Sequence, residues 1–181
     1  MSLYPIMGNG TPAWSFSSFN SGNSGVAASK ADNRAGFMES NAAGNDFRQH
    51  GFTSNSNGTP DWSFQYPVSD SNLPASSRKV AASRDGSTIA AVVSDSVTQN
   101  STLYVFNAST GAVTLAWTDP LRMDGVDLTD NGSTALVTQD NRAVVLDTAT
   151  ATATFTPTPR PTPTVRPNPT PRVRPTPAPR P

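Results

Sequence analysis

An eight-residue phrase that occurs twice constrains this chain more than any other feature. NGTPAWSF occupies residues 9–16 and returns as NGTPDWSF at residues 57–64. A second phrase, VAAS, opens at Val26 and again at Val80, where it runs on as VAASRDGSTIAAVVSD. A diverged third copy, VDLTDNGSTALVTQD, opens at Val126. The units begin at Trp14, Trp62 and Trp117, spaced by 48 and then 55 residues. A repeat of this period implies like units that bury their cores against neighbours.

Each unit reads as short strands. VAAS, RDG and STIAAVVS form a strand, an Asp-Gly turn and a second strand. STLYVFNASTGAVTLAW is a hairpin turning at residues 107–111, and ALVTQDNRAVVLDT is another turning at Asp140-Asn141. Gly, Asn and Asp supply the positive-φ positions of such turns. Val, Ile, Thr, Tyr and Phe fill the strands between them. Residues 32–48 contain helix formers but are interrupted by Gly36 and Gly44, so they read as a degenerate outer part of the first unit.

The order Trp, V-x-x-S-x-D-G, L-Y-V-F-N-x-x-T-G, Trp resembles the blades of β-propellers of the pyrroloquinoline-quinone-like and WD-like kinds. The resemblance covers residues 14–155 and is clearest at 80–95 with 103–117, and at 126–148. It implies four-stranded sheets with the tryptophan packed between neighbours. It also implies that Trp14, Trp62 and Trp117 occupy equivalent places, as core residues rather than a sugar-stacking platform. Three units are too few for a ring of the usual 4–8 blades. The expected fold is therefore all-β: an incomplete propeller or a sandwich. The alternatives are that two or more chains pool their blades, or that a neighbouring copy or the chain's own residues 3–7 supplies the missing strands.

The character changes at the end. Eleven of the last 25 residues are proline, largely at alternate positions. Proline fixes φ and cannot donate to a ladder, so residues 156–181 read as a polyproline II rod behind a head of residues 1–155. Such a rod has no internal hydrogen bonds and needs a grip from outside to hold one course. The tail resembles hydroxyproline-rich wall glycoproteins. That resemblance implies O-glycans on Thr158, Thr162, Thr164, Thr170 and Thr176. N-x-[ST] sequons at Asn9, Asn57, Asn100, Asn107 and Asn131 add N-glycosylation candidates.

Charge is segregated although the total is zero. All 13 acidic residues precede residue 156, with eight basic ones, so the head is −5. The tail has Arg160, Arg166, Arg172, Arg174 and Arg180 and no acid, so it is +5. Either these arginines are assembly contacts on the acidic head of another copy, or they keep a linker soluble.

Other chemistry finds little footing. There is no cysteine and one histidine, His50, so no metal set has ligand spacing. Asp124, Asp127 and Asp130 do not follow the calcium-loop pattern and read as turn caps. A Ser-His-Asp triad would have to use His50 without a G-x-S-x-G elbow. The chain reads as a non-enzyme without a cofactor. The tail lacks interleaved aromatics, which speaks against nucleic acid. No apolar run reaches the ~20 residues of a membrane span, and residues 1–10 lack the pattern of a signal peptide. Charged residues make up 14 %, with Ser, Thr, Asn, Gly and Pro in their place, a balance suited to an extracellular or cell-surface protein. The expected function is a structural subunit of an extracellular filament, a homopolymer joined head to tail and covered with covalent glycans. The alternatives are a surface-anchored carbohydrate- or protein-binding module on a stalk, or a piece of a larger propeller protein.

Overall fold

The computed structural model describes residues 2–3, 14–16, 25–40, 46–67, 79–95 and 98–149. These contain thirteen strands and no helix. A short pair, β1 (Ser2–Leu3) and β2 (Trp14–Ser15), comes first. Sheet one follows as β3 (Gly25–Ala28), β4 (Arg34–Ser40), β5 (Phe47–Thr53) and β6 (Trp62–Gln65). Sheet two is β7 (Lys79–Ala82), β8 (Thr88–Ser94), β9 (Ser101–Asn107) and β10 (Val113–Asp119). Sheet three has β11 (Gly125–Leu128), β12 (Thr134–Gln139) and β13 (Arg142–Asp147). Every pairing is antiparallel between sequence neighbours, and β7 lies between β3 and β11. The expectation of four-stranded units holds for sheets one and two. Sheet three shows three strands among the described residues.

The V-x-x-[ST] phrase has a mechanical meaning. Ser29, Ser83 and Thr129 directly follow the first strands of the three sheets. Their hydroxyls accept the N–H of Arg34, Thr88 and Thr134 at 3.2, 3.0 and 3.1 Å. Each thereby closes the turn into the second strand. The turns also stack on one another. Ala31 N–H donates to the Arg84 carbonyl at 2.9 Å, and Asp85 N–H to the Asp130 carbonyl at 3.0 Å. These bonds lock neighbouring sheets in phase along one end of the array.

The other foreseen turns form as read: Gly86, Gly111 and Asp140 all take positive φ. The segment 32–48 differs from expectation. It contributes the second strand of sheet one and the start of the third, not an outer part. Residues 35–39 are buried throughout, so the polar/apolar alternation that marks a half-exposed strand is absent there.

Two cores lie between the sheets. Ile89, Ala91, Val93 and Phe106 of sheet two meet Met38, Phe47 and Tyr66 of the sheet-one unit. Ala90, Val92, Leu103, Val105, Leu115 and Trp117 meet Met123, Ala135, Val137, Val144 and Leu146. Sheet two is thus apolar on both faces, as an interior member of a stack must be.

The first core contains a titratable group. The Tyr66 hydroxyl donates to Gln49 Oε1 at 3.2 Å, and both side chains are buried. Burial, with a smaller contribution from Tyr104, pushes the Tyr66 phenol well above its ordinary 10.0. The neutral form is therefore favoured in the folded state. This contribution is intact below the unfolded value near pH 10 and is lost as pH rises through the folded one. Urea midpoints measured from pH 8 upward should fall more steeply above about pH 10 for the natural chain than for Tyr66→Phe. Parallel curves would show that Tyr66 does not govern the alkaline limb.

Candidate assembly site

The way one sheet receives the next shows what the last sheet leaves open among the described residues. In sheet one, two cross-strand rows face sheet two: Trp62–Gly51–Gly36 and Phe64–Gln49–Met38. Sheet two repeats them as Leu115–Val105–Ala90 and Trp117–Leu103–Val92. Trp117 therefore stands in register with Phe64, and Leu115 with Trp62. This corrects the expectation that Trp62 and Trp117 are equivalent. The phrase matching W-S-F is L-A-W, shifted by two residues.

Trp62 is seated by glycine. A methyl group built on Gly51 would lie 2.1 Å from the indole, and one on Gly111 of sheet two would lie 2.6 Å from it. The ring stacks on Phe106 at 5.5 Å and 27°. Its Nε1–H donates to the Ala108 carbonyl at 2.8 Å. Tryptophan between sheets is thus found at Trp62 and, by the other row, at buried Trp117. The side chain of Trp14 lies outside the described residues.

Sheet three continues both rows as Val145–Leu136 and Ala143–Thr138. Here they face outward. Leu136 is 41 % and Val145 60 % exposed, whereas Ala90 and Val105, their counterparts in sheet two, are buried completely. Among the described residues β13 has β12 as its only strand partner. Its six residues have regular pairing with neither proline nor bulge. Edge strands are ordinarily blunted by such features. By contrast, the β10–β9 ladder carries an irregularity between Val113 and Leu115.

The opposite end of the array holds a polar chain, buried at Glu39 and His50, that sequence reasoning missed. His50 Nε2 lies 2.9 Å from Glu39 Oε1, and His50 Nδ1 lies 2.7 Å from Ser63 Oγ. Glu39 and His50 are 2 % and 4 % exposed. The rings of Phe16, Phe37 and Phe52 surround the imidazole. The three polar residues come from β4, β5 and β6, and His50 is directly opposite Ser63. A signal was available: the aligned units place His50 and Glu39 where sheet two has Tyr104 and Val93.

The other sequence candidates are dispersed. Asn57, Asn107 and Asn131 are exposed in turns, and Asn100 is half-buried. Asn107 Oδ1 accepts from the Ser109 and Thr110 N–H groups at 3.0 and 3.2 Å, and Asn131 Oδ1 from the Ser133 N–H at 3.1 Å. Asp124 accepts the Asp140 N–H at 3.2 Å and Asp127 the Leu128 N–H at 2.8 Å, whereas Asp130 pairs with Arg84 at 3.4 Å. Among the described residues no three His, Asp or Glu side chains gather as a metal set. No helix among them is long and apolar enough to cross a membrane. A shallow cleft runs along the stacked turns, lined by Ala31, Arg84, Asp85, Asp130 and Asn131. Asn9, all five tail threonines, all five tail arginines and the boundary at residue 155 lie outside the described residues.

No family model and no curated protein matches this sequence. Solved structures do. The β-propeller domain of Cps50 (Swd1) from Myceliophteria thermophila superposes with a TM-score of 0.52 at 12 % identity, covering 72 % of this chain and 36 % of that one. BamB from Moraxella catarrhalis gives 0.47 at 16 % identity, over 72 % and 35 %. The propeller domain of the Trilobed protease from Pyrococcus furiosus gives 0.45 at 10 % identity, over 68 % and 38 %. The chain thus spans about a third of the length of these proteins. The likeness to the Cps50 domain, with the sheet order described above, shows the fold: an open, propeller-like array of antiparallel sheets.

Proposed function

We propose that this chain is a non-enzymatic structural subunit that assembles with copies of itself outside the cell, with the head as bead and the proline-rich tail as connector. The observation that carries the reading is the outer side of sheet three. It exposes an apolar cross-strand row and a regular strand edge, at the place where sheet two buries both. Repeat arrays need a cap or a neighbour there. The opposite charges of head and tail, −5 and +5, favour contacts between different copies. A contact between two different surfaces propagates into a ring or a fibre. Glycans on the exposed turn asparagines and the tail threonines belong to this proposal, as does the extracellular location.

Sedimentation and negative-stain imaging over a concentration series test it. Regular assemblies are expected, weakened by 1 M salt and by deletion of residues 156–181. Single subunits at every concentration would refute it.

A second reading, a piece of a larger propeller protein, is favoured by the 36 % coverage of the Cps50 domain chain. A longer reading frame with further W-S-F units would establish it.

A further inference from the structure

Sheet three shows three strands among the described residues, and we propose that its fourth, outer strand is supplied by residues 14–16 of a second copy of this chain. The inference rests on the assembly reading and identifies its contact. The donor is recognised in two independent ways. Residues 9–16 match residues 57–64 at all but one position, and the latter contain the outer strand β6. The last aromatic of each phrase also makes the same kind of contact with the following sheet. Phe64 lies 5.7 and 5.2 Å from Tyr104 and Phe106, and Phe16 lies 5.4 and 5.2 Å from His50 and Phe52. Tyr104–Phe106 and His50–Phe52 occupy the same register positions. Residues 14–16 are therefore an outer strand placed before sheet one.

That strand and sheet three stand at opposite ends of the array, with sheet two between them. Phe16 cannot stay on sheet one while its strand completes sheet three of the same chain. A second copy meets both conditions. The chain's own continuation is a poor substitute. Sheet two starts its outer strand six residues after β9 ends, and the same offset from β13 gives residues 153–159, which include Pro157 and Pro159. Proline cannot donate to the ladder, and residues 148–154 are only Thr and Ala, without the paired large side chains of W-S-F and L-A-W.

The rows fix the register. Trp62 opposes Gly51 and Phe64 opposes Gln49. By the same offsets Trp14 opposes Val145, Ser15 opposes Val144 and Phe16 opposes Ala143. Trp14 with Val145 is an aromatic–β-branched cross-strand pair. The donor exchanges its two pairings with β1, Ser2↔Ser15 and Leu3↔Trp14, for the six-residue edge of β13. Sheet one of the second copy then stacks on sheet three of the first, and the array continues from chain to chain.

The chain has no cysteine, so two single-cysteine versions report the contact. Ser15→Cys mixed with Val144→Cys should oxidise to a product of twice the 19.0 kDa chain mass, in at least fivefold greater yield than Ser15→Cys mixed with Arg142→Cys. Val145→Lys, on a side chain already 60 % exposed, should keep the fold and raise the concentration needed for assembly at least tenfold. Equal yields in the two mixtures, or unchanged assembly of Val145→Lys, overturn the proposal. So does a several-fold rise in link yield after truncation at Ala149, which would make residues 150–155 the occupant. Assemblies that persist under Val145→Lys sink this contact but leave the assembly reading standing. A natural chain that stays a single subunit at every concentration sinks both.

Discussion

Glu39→Ala is expected to lower the unfolding free energy by about 3 kcal/mol, read as a fall in urea midpoint at constant m. The carboxylate lies 2.9 Å from His50 Nε2, where both side chains are almost fully withdrawn from water. Alanine leaves that nitrogen facing Phe16, Phe37 and Phe52. A buried polar atom stripped of its partner costs about 1–3 kcal/mol. The space vacated by the longer side chain adds to that, because the surroundings collapse only in part. Glu39→Gln keeps the shape and an acceptor oxygen, so it should cost about a third as much. If the two variants lose the same amount, the hydrogen bond is not what Glu39 contributes. Ser63→Ala is the milder companion, since Ser63 is exposed and water can replace its hydroxyl.

The contrast between this site and the turns shows what a sequence displays. Local chemistry was legible. The Asp-Gly turn at Gly86, the turn ending at Gly111 and the Asp140 reversal each depend on a few consecutive residues, and each forms where the sequence places it. The repeat made the sheet units legible in part: V-x-x-[ST] marks the first strand of a unit, whereas W-S-F, read from the sequence as opening a unit, lies on the last strand of sheet one. The Glu39–His50–Ser63 chain was not legible, because its members are eleven and thirteen residues apart and meet only through strand register. Strand β4 was hidden for a related reason. Its residues are buried on both faces, and Gly36 and Glu39 interrupt what would otherwise be an apolar run.

The tryptophans carry the same lesson. Spacing suggested that Trp62 and Trp117 were counterparts. Spacing counts loop residues, whereas pairing does not. The loops that differ between units absorb the discrepancy, and the rows align Trp117 with Phe64. The open side of sheet three could be foreseen only as a shortage of units and strands. Its location needed the faces of Leu136 and Val145, which alternation leaves ambiguous until one neighbour is known.

Trp62→Ala should cost about 3–4 kcal/mol, at the lower part of the range for large aromatics because the ring keeps some exposure. Three contributions vanish together. The indole fills the gap over Gly51 and under the Gly111 turn. It stacks on Phe106, and it satisfies the Ala108 carbonyl. Phenylalanine would restore much of the hydrocarbon but not the N–H, so Trp62→Phe should recover about half of the loss. Gly51→Ala reaches the same joint from the other side. Its methyl group would sit 2.1 Å from the indole on a strand whose backbone cannot retreat without breaking the β4 and β6 ladders. The double variant Gly51→Ala/Trp62→Ala should therefore be more stable than the sum of its parts, because the added methyl enters the space that the indole leaves. Strict additivity in thermal or urea unfolding would mean that the two residues do not share one cavity, and that the seam between sheets one and two is not held by the indole.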